Sequence, residues 1–151
     1  MFKTFLCIAC FAASGCSTAR APIAQYQSSR VTASNHGAIS LDVAFNLSNN
    51  NDDPLRLVKY KYLVSINGTT VYNGSAEAEQ TLPQRSTSLA SIPVVVRREQ
   101  LTGQDQVVWN LQGSLEYIEY GALAETLVDS KLIQPSTIIA ASDTLVIPLV
   151  E

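Results

Sequence analysis

Charged residues, histidine and cysteine are all scarce in this chain of 151 residues. Asp, Glu, Lys and Arg make up only 15% of it, and the formal net charge is -3. Ordinary soluble domains carry about 25% charged residues. Nucleic-acid binding needs clustered Lys and Arg, which this chain lacks, so we expect no nucleic-acid partner. With one histidine, His36, and three cysteines, the composition also argues against a metal site, a Cys–His nucleophile and hence an enzyme.

The chain is nevertheless rich enough in apolar residues to fold. Hydrophobic residues make up 46% of it, which is ample for the core of one domain. Low charge together with many Thr, Ser, Val and Asn residues favours an extracytoplasmic β protein.

No apolar run is long enough to cross a membrane, but a short one lies at the N-terminus. Residues 5–13 follow the positive charge of Lys3, as in the n-region and h-region of a secretory signal. The next residues, Ala13-Ser14-Gly15-Cys16, resemble a bacterial lipobox, although Leu is more usual than Ala at the first of these positions. This pattern predicts a signal peptide over residues 1–15 and lipid attachment, a diacylglyceryl group plus an N-acyl chain, at Cys16.

Two other interpretations of the N-terminus are open. Ordinary signal peptidase could cut after Ala21, but Pro22 would then be the first mature residue, which such enzymes reject. The third interpretation is a buried N-terminal strand with three ordinary thiols. If the lipobox is used, Cys7 and Cys10 are removed and no internal disulfide is possible.

The lipobox interpretation also predicts a location. Ser17 after the cysteine is typical of lipoproteins sorted to the outer membrane, so we expect a lipid anchor there with the domain facing the periplasm. A bacterium with a single membrane would display the protein on its surface. Residues 16–24 are expected to form a lipidated tether, whose eight residues after Cys16 reach less than about 30 Å.

The rest of the chain, residues 25–151, has the period of β-strands. Ile39, Leu41, Val43, Phe45 and Leu47 alternate with small or polar residues, which predicts one buried strand face. Similar patterns predict strands at residues 25–33, 57–66, 69–78, 87–96, 113–128 and 144–150, with turns at 35–37, 48–54, 67–68 and 84–86.

A few positions refine this prediction. Tyr60 and Tyr62, like Val94 and Val96, are expected to face the core, and Pro93 indicates an edge strand or a bulge. The spacing of apolar residues at 101, 108 and 111 favours one short helix within residues 97–111. About seven strands with frequent turns predict an all-β, two-sheet sandwich in a single domain.

The order of several segments resembles a known family. They are Val43 to Asn51 (VAFNLSNNN), Pro54 to Leu57 (PLRL), the pair Tyr60 and Tyr62, the turns at Asn67-Gly68 and Asn73-Gly74, Leu82-Pro83 before a Val-rich strand at 93–96, Leu115 to Tyr117 with Gly121, and Ser142 to Leu145. Together they resemble the type 2 late-embryogenesis-abundant proteins and their WHy (water stress and hypersensitive response) domain. Asn50 stands where that family usually has Pro.

The resemblance implies a fold and a role. The family has an immunoglobulin- or fibronectin-III-like sandwich of about seven strands with one helix crossing between strands. Its members are linked to water stress and desiccation tolerance, and no catalytic residues are associated with the fold. The resemblance therefore implies a non-enzymatic protein with a protective or interaction role.

Other candidate sites receive plainer interpretations. Residues 49–53 offer oxygens to Ca²⁺ but lack the spacing of an EF-type loop, so turn chemistry is favoured. The carboxylate pairs Glu77/Glu79 and Glu116/Glu119 are interpreted as solvated strand face, and His36 as exposed turn polarity. Sequons begin at residues 46, 67 and 73, but a bacterial lipobox argues against glycosylation. We therefore predict no catalytic, metal or cofactor residue.

Three functions are compatible with these patterns. The first is a lipid-anchored protein that protects or binds other molecules during water or envelope stress. The second is an envelope-assembly module whose exposed sheet edge, at the strand of Pro93 or at the last strand, takes a partner strand. The third is a carrier of an apolar ligand between the two sheets, which needs a cavity of a few hundred Å³.

Overall fold

The computed structural model describes residues 20–101, 103 and 105–148. These residues form seven strands, a short 3-10 helix and one α-helix. The elements are β1 (Ile23–Ser34), β2 (Ala38–Asn49), β3 (Leu55–Ile66), β4 (Thr69–Leu82), β5 (Ser86–Arg97), the 3-10 helix (Arg98–Leu101), β6 (Gln106–Glu119), α1 (Ala122–Asp129) and β7 (Ser136–Val146).

The strands form two antiparallel sheets. One has the order β1-β2-β5 and the other the order β4-β3-β6-β7. The predicted all-β sandwich of seven strands with one short helix is therefore confirmed. In a constant-type immunoglobulin domain the fourth strand joins the sheet of the first, second and fifth. Here β4 pairs with β3 instead.

The period-two pattern of β2 places its apolar side chains in the core. Ile39, Leu41, Val43, Phe45 and Leu47 are each at most 2% exposed, whereas the residues between them are partly exposed. The predicted inward faces of β3 and β5 are confirmed as well, because Tyr60, Tyr62, Val94 and Val96 are buried. Alternation along a strand thus sorts the residues between core and solvent.

Aromatic rings join the two sheets in the core. Trp109 of β6 is 1% exposed, and Tyr26 of β1 meets it edge-on with ring centroids 6.0 Å apart. Tyr26 also meets Phe45 edge-on at 6.2 Å. Its hydroxyl donates to Asp143 Oδ2 at 2.7 Å, and this hydrogen bond lowers the pKa of the Asp143 carboxyl. These contacts fix β1 against β6 and β7.

The predicted turns at residues 35–37 and 67–68 are confirmed, whereas the turn expected at Asn73-Gly74 is wrong, because both residues lie inside β4 and pair with β3. Asn67 and Gly68 connect β3 to β4 with φ values of 47° and 83°, the left-handed pair that a tight type I′ hairpin requires. In the turn between β1 and β2, Asn35 Oδ1 accepts the backbone N–H groups of Gly37 and Ala38 at 2.8 and 2.9 Å. The turn chemistry of Asn therefore sets both hairpins.

The predicted helix within residues 97–111 is wrong. In the described part of this segment only Arg98–Leu101 is helical, as a 3-10 turn, and β6 begins at Gln106. Val107, Trp109 and Leu111 are buried, while Val108 is 54% exposed, so the true period is two. The three-residue spacing of Val108 and Leu111 was misleading because they lie on opposite faces of one strand.

The α-helix lies in a segment that the sequence prediction assigned to a strand. Residues 113–128 were expected to be extended, but β6 ends at Glu119 and α1 spans Ala122–Asp129. Gly121 has φ 133° and separates the two elements. The helix formers Ala122, Ala124 and Glu125 then favour α1.

The last strand also differs from its prediction. It was expected over residues 144–150, but β7 spans Ser136–Val146, and residues 149 and 150 lie outside the described part. The start of β7 is not evident from the sequence, because Ile138 and Ile139 are adjacent and show no alternation, although the first is 80% exposed and the second is buried.

The first strand also begins earlier than predicted. β1 begins at Ile23, within the predicted tether of residues 16–24.

Pro93 lies on an edge strand, as predicted. β5 pairs with β2 alone among the described strands. The Pro93 carbonyl accepts the hydroxyl of Tyr62, across the sandwich, at 2.6 Å. This carbonyl therefore points away from β2, towards the open edge of the sheet. The N–H and C=O groups of one strand residue point to the same side, so the N–H that proline lacks would also have pointed to the open edge.

The Tyr62 hydroxyl gives a first testable prediction. Burial raises the pKa of Tyr62 to about 12 from 10.0. The neutral phenol is thus favoured in the folded state, and its contribution to stability is complete below pH 10 and is lost as the pH rises from 10 towards 12. We expect Tyr62→Phe to cost about 1 kcal/mol at neutral pH and to weaken the loss of stability above pH 10.

Urea denaturation at pH 8 and at pH 11 measures both effects. Tyr120→Phe is the matched control, because that ring is 73% exposed. Burial also raises the pKa values of Tyr60 and Tyr117, so the Tyr62→Phe variant keeps part of the alkaline loss. An alkaline loss of the same size in the native chain and in Tyr62→Phe would contradict the prediction.

Candidate functional site

The two ends of the sandwich present different segments. We call one end the tether pole; it is formed by Arg20, residues 50–54, residues 83–85 and residues 120–135. We call the opposite end the distal pole; it is formed by the turns at residues 35–37 and 67–68 and by Ile147 and Pro148. The tether pole lies next to the buried polar side chain of Asn49 and carries the exposed apolar side chains of Tyr120 and Leu132, so this end is our candidate functional site.

Arg20 is held at the tether pole by a side chain of the loop between β2 and β3. Its backbone N–H donates to Asn51 Oδ1 at 2.7 Å, and its carbonyl accepts from Asn51 Nδ2 at 2.8 Å. A side-chain amide that binds both the backbone N–H and the carbonyl of one residue mimics the hydrogen-bonded pair of a β-ladder. The backbone leading into β1 is therefore fixed three residues before that strand begins.

Asn49 connects this contact to the interior. It is the one buried polar residue among the described residues, at 0% exposed. Its Nδ2 donates to the carbonyls of Asp53, Leu82 and Pro83 at 2.8, 3.2 and 3.1 Å. Its Oδ1 accepts from the backbone and side-chain amides of Asn51 at 2.9 and 2.8 Å. A continuous set of hydrogen bonds thus runs from the β4–β5 turn through Asn49 and Asn51 to Arg20.

This geometry supports the turn interpretation of residues 49–53. The amide of Asn49 is already hydrogen-bonded on both its oxygen and its nitrogen. Asp52 forms an ion pair with Arg85, and the Arg85 backbone N–H donates to the Asn51 carbonyl at 3.1 Å. These polar groups hold two loops together. Within the described residues, no group of three or more His, Cys, Asp and Glu side chains could hold a metal ion.

The segment around α1 adds exposed apolar side chains to the same pole. Tyr120 is 73% exposed, Leu132 72% and Ile133 41%. Tyr120 and Glu125 line a cleft of about 220 Å³ together with Pro54, which places α1 beside the loop that carries Asn51. The sequence prediction missed this cluster, since it follows no strand or helix period.

Two of the carboxylates considered for acid–base chemistry, Glu77 and Glu116, lie on the outer face of the four-stranded sheet, whereas Glu119 pairs with the buried Leu55 at the end of β6. Glu77 forms an ion pair with Lys59 at 2.9 Å, and Glu116 forms one with Lys61. The hydrogen bond to Glu77 is the main cause that raises the pKa of Lys59. Glu79 is exposed and Glu119 partly exposed. These positions agree with the solvated-face interpretation of Glu77, Glu79 and Glu116, and His36 is likewise exposed in its turn.

The two predicted sheet edges are confirmed as edges. β5 and β7 each pair with a single neighbour among the described strands. In the middle of the β5 edge, Pro93 has no backbone N–H to donate to an added strand. At β7, Asp143 is bound by Tyr26 and also accepts the hydroxyl of Ser29 at 3.4 Å, so β1 covers that part of the edge. The more open stretch of β7 begins at Ser136 and includes Ile138, which is 80% exposed.

The predicted lipid attachment lies elsewhere in the chain. Cys16 and the signal peptide of residues 1–15 lie outside the described residues, so both stay predictions. In the described part, no helix combines the length and the hydropathy needed to cross a membrane.

Comparison with known proteins identifies the fold. The chain matches no protein-family model and no curated relative. Its structure is similar to the solution structure of an Arabidopsis thaliana protein, with TM-score 0.65, 12% identity, and coverage of 93% of this chain and 91% of that one. A Bordetella pertussis protein gives TM-score 0.54 and 10% identity over 87% of this chain and 98% of its own. A protein from Archaeoglobus fulgidus gives TM-score 0.51 and 9% identity, over 88% and 100%. At these identities the similarity is one of fold alone.

Proposed function

We propose that this protein is a non-enzymatic lipoprotein, anchored through Cys16, whose WHy-like sandwich has a protective or interaction role during water or envelope stress. The observation that carries the proposal is the pair of hydrogen bonds between Asn51 and Arg20. They hold the chain four residues after the lipobox cysteine, so an anchor at Cys16 would keep the domain close to the membrane.

The family resemblance gains support from contacts between its separate pieces. Asn49 belongs to the Asn-rich segment, and its side chain binds the carbonyls of Leu82 and Pro83, which form a later segment of the pattern. Residues that are 33 and 34 positions apart in the chain are thus joined by one buried side chain. The occurrence of both segments in one sequence therefore has a structural reason, which favours the family resemblance over a chance match.

The non-enzymatic part of the proposal rests on how the polar groups are used. The Glu77 and Glu116 carboxylates form ion pairs with lysines on an open sheet face. Acid–base catalysis needs carboxyl groups in a water-poor cleft with separated pKa values. The buried amide of Asn49 binds loop backbone rather than facing a cavity.

The anchor and the role are tested together in the native host. We expect mass spectrometry to find the native chain triacylated at residue 16 and membrane-associated, and Cys16→Ala to carry no acyl group and to keep residues 1–15 uncleaved. We also expect a deletion strain to lose survival under drying or hyperosmotic shock, with rescue by the native gene and weaker rescue by Cys16→Ala. Unchanged survival of the deletion strain would overturn the protective role, and an unmodified Cys16 would overturn the anchor.

A second candidate function is strand addition at β7. It is favoured by the open stretch of that edge near Ser136, where Ile138 is exposed next to unpaired backbone. Crosslinking in whole cells separates the two candidates. A single stoichiometric partner crosslinked to β7 supports the module, whereas diffuse capture of many proteins supports protection.

A further inference from the structure

Exposed apolar side chains lie at the tether pole, and the position of Cys16 in the chain indicates which surface they contact. Tyr120, Leu132 and Ile133 lie on the segment that connects β6 to β7 through α1. From these positions we propose that the tether pole is a membrane-docking surface, with Tyr120, Leu132 and Ile133 inserted among the lipid headgroups. This inference rests on the proposed anchor at Cys16, and it adds a second, non-covalent membrane contact.

The reach of the chain limits how far this surface can lie from the bilayer. Arg20 lies four positions after Cys16, and at no more than about 3.5 Å per position the chain between them spans at most about 14 Å. The headgroup layer on each side of a bilayer is about 5–8 Å thick. Because Asn51 fixes Arg20 at this pole, a lipid on Cys16 would leave the tether pole, and not the distal pole, at the headgroups.

The location of the apolar cluster agrees with this orientation. Pro54, three residues after Asn51, shares a cleft with Tyr120. The Tyr117 backbone N–H donates to the Pro135 carbonyl at 3.1 Å, which returns the chain to the start of β7 at the same end. Leu132 and Ile133 therefore lie between α1 and the tether-pole end of β7.

The charges at this pole favour lipid contact by apolar insertion over electrostatic attraction. Acidic and basic side chains are interspersed, and Arg85 is already paired with Asp52. The charged residues of the pole are Arg20, Asp52, Asp53, Arg85, Glu125, Asp129 and Lys131. Without a basic cluster there is little attraction for anionic lipids. Tyr and long aliphatic side chains, in contrast, are suited to the interface between headgroups and acyl chains.

Tryptophan scanning on the acylated full-length protein tests the docking. The chain has a single tryptophan, Trp109, which is 1% exposed and supplies a constant background. Leu132→Trp adds a reporter at the tether pole. Val146→Trp is the matched control near the distal pole, because Val146 is 63% exposed and pairs with Gln106 at the far end of β7.

Each variant is placed in phosphatidylcholine vesicles whose acyl chains carry bromine, a fluorescence quencher. We expect the added emission of Leu132→Trp to fall at least two-fold relative to unbrominated vesicles, with no change for Val146→Trp and no effect of raised salt. Quenching that disappears in high salt would contradict apolar insertion. A chain that floats with the vesicles but shows equal emission with and without bromine would overturn the docking surface alone. A chain that fails to float would overturn the anchor, and the docking surface with it.

Discussion

Replacing Asn49 with alanine is expected to lower the free energy of unfolding by about 3–4 kcal/mol. The side chain is fully buried and donates to three backbone carbonyls, those of Asp53, Leu82 and Pro83. Buried polar groups left without a partner cost about 1–3 kcal/mol each, and removal of this amide deprives several at once. The loops at residues 50–54 and 83–85 would lose their common support.

Urea denaturation of the two variants Asn49→Ala and Asn50→Ala measures this effect. Asn50 is the matched control because it is the next residue, has the same side chain and is exposed. Its substitution is expected to change stability by less than about 0.5 kcal/mol. Similar losses for both variants would show that the burial of Asn49 is not what stabilises the loops.

Replacing Gly113 with alanine is expected to destabilise the protein by about 3 kcal/mol. Gly113 lies on β6 opposite Tyr62, in the interior of the four-stranded sheet. A Cβ at residue 113 would overlap the Lys61 carbonyl and approach Tyr62 Cα to 2.8 Å. Both are backbone atoms of β3, so the pairing of two central strands would have to shift, and overpacking of this kind typically costs about 1–3 kcal/mol or more.

Gly74→Ala is the matched control for this prediction. Gly74 faces Tyr62 from the other side, on the edge strand β4, and its Cβ would meet the ring of Tyr72 rather than backbone. A side chain on an edge strand can move, so we expect a loss of roughly 1 kcal/mol. Thermal and urea unfolding of the two variants provide the comparison. A Gly113→Ala protein as stable as Gly74→Ala would show that the β3–β6 pair is not closely packed there.

The sequence predicted the sandwich well where alternation was strict and turns had a specific chemistry. The inward row of β2 and the Asn67–Gly68 hairpin are examples. The prediction was wrong where the apolar residues fit both the strand period and the helix period. Residues 106–111 carry apolar side chains at both spacings, and only packing against β3 and β7 selects the strand.

The candidate site was less accessible to prediction. Residues 49–53 have the composition of a solvated loop, yet the period of β2 continues one step beyond Leu47 and places Asn49 inward. Strand alternation alone therefore points to the burial of Asn49. The bonds between Asn51 and Arg20, in contrast, join residues that are 31 positions apart and follow from the folded shape alone. The same holds for the cluster of Tyr120, Leu132 and Ile133.

The proline on β5 has a further consequence under the proposed membrane anchoring. Anchored as proposed, neighbouring copies diffuse in two dimensions with their strands in similar orientations, and their local concentration is high. Such crowding promotes the lateral joining of sheets between molecules through free edges. Pro93 supplies no N–H for an approaching strand, and its carbonyl is already bound by the Tyr62 hydroxyl. A growing intermolecular sheet would therefore lose both hydrogen bonds in the middle of this edge, which disfavours the joining of copies through β5.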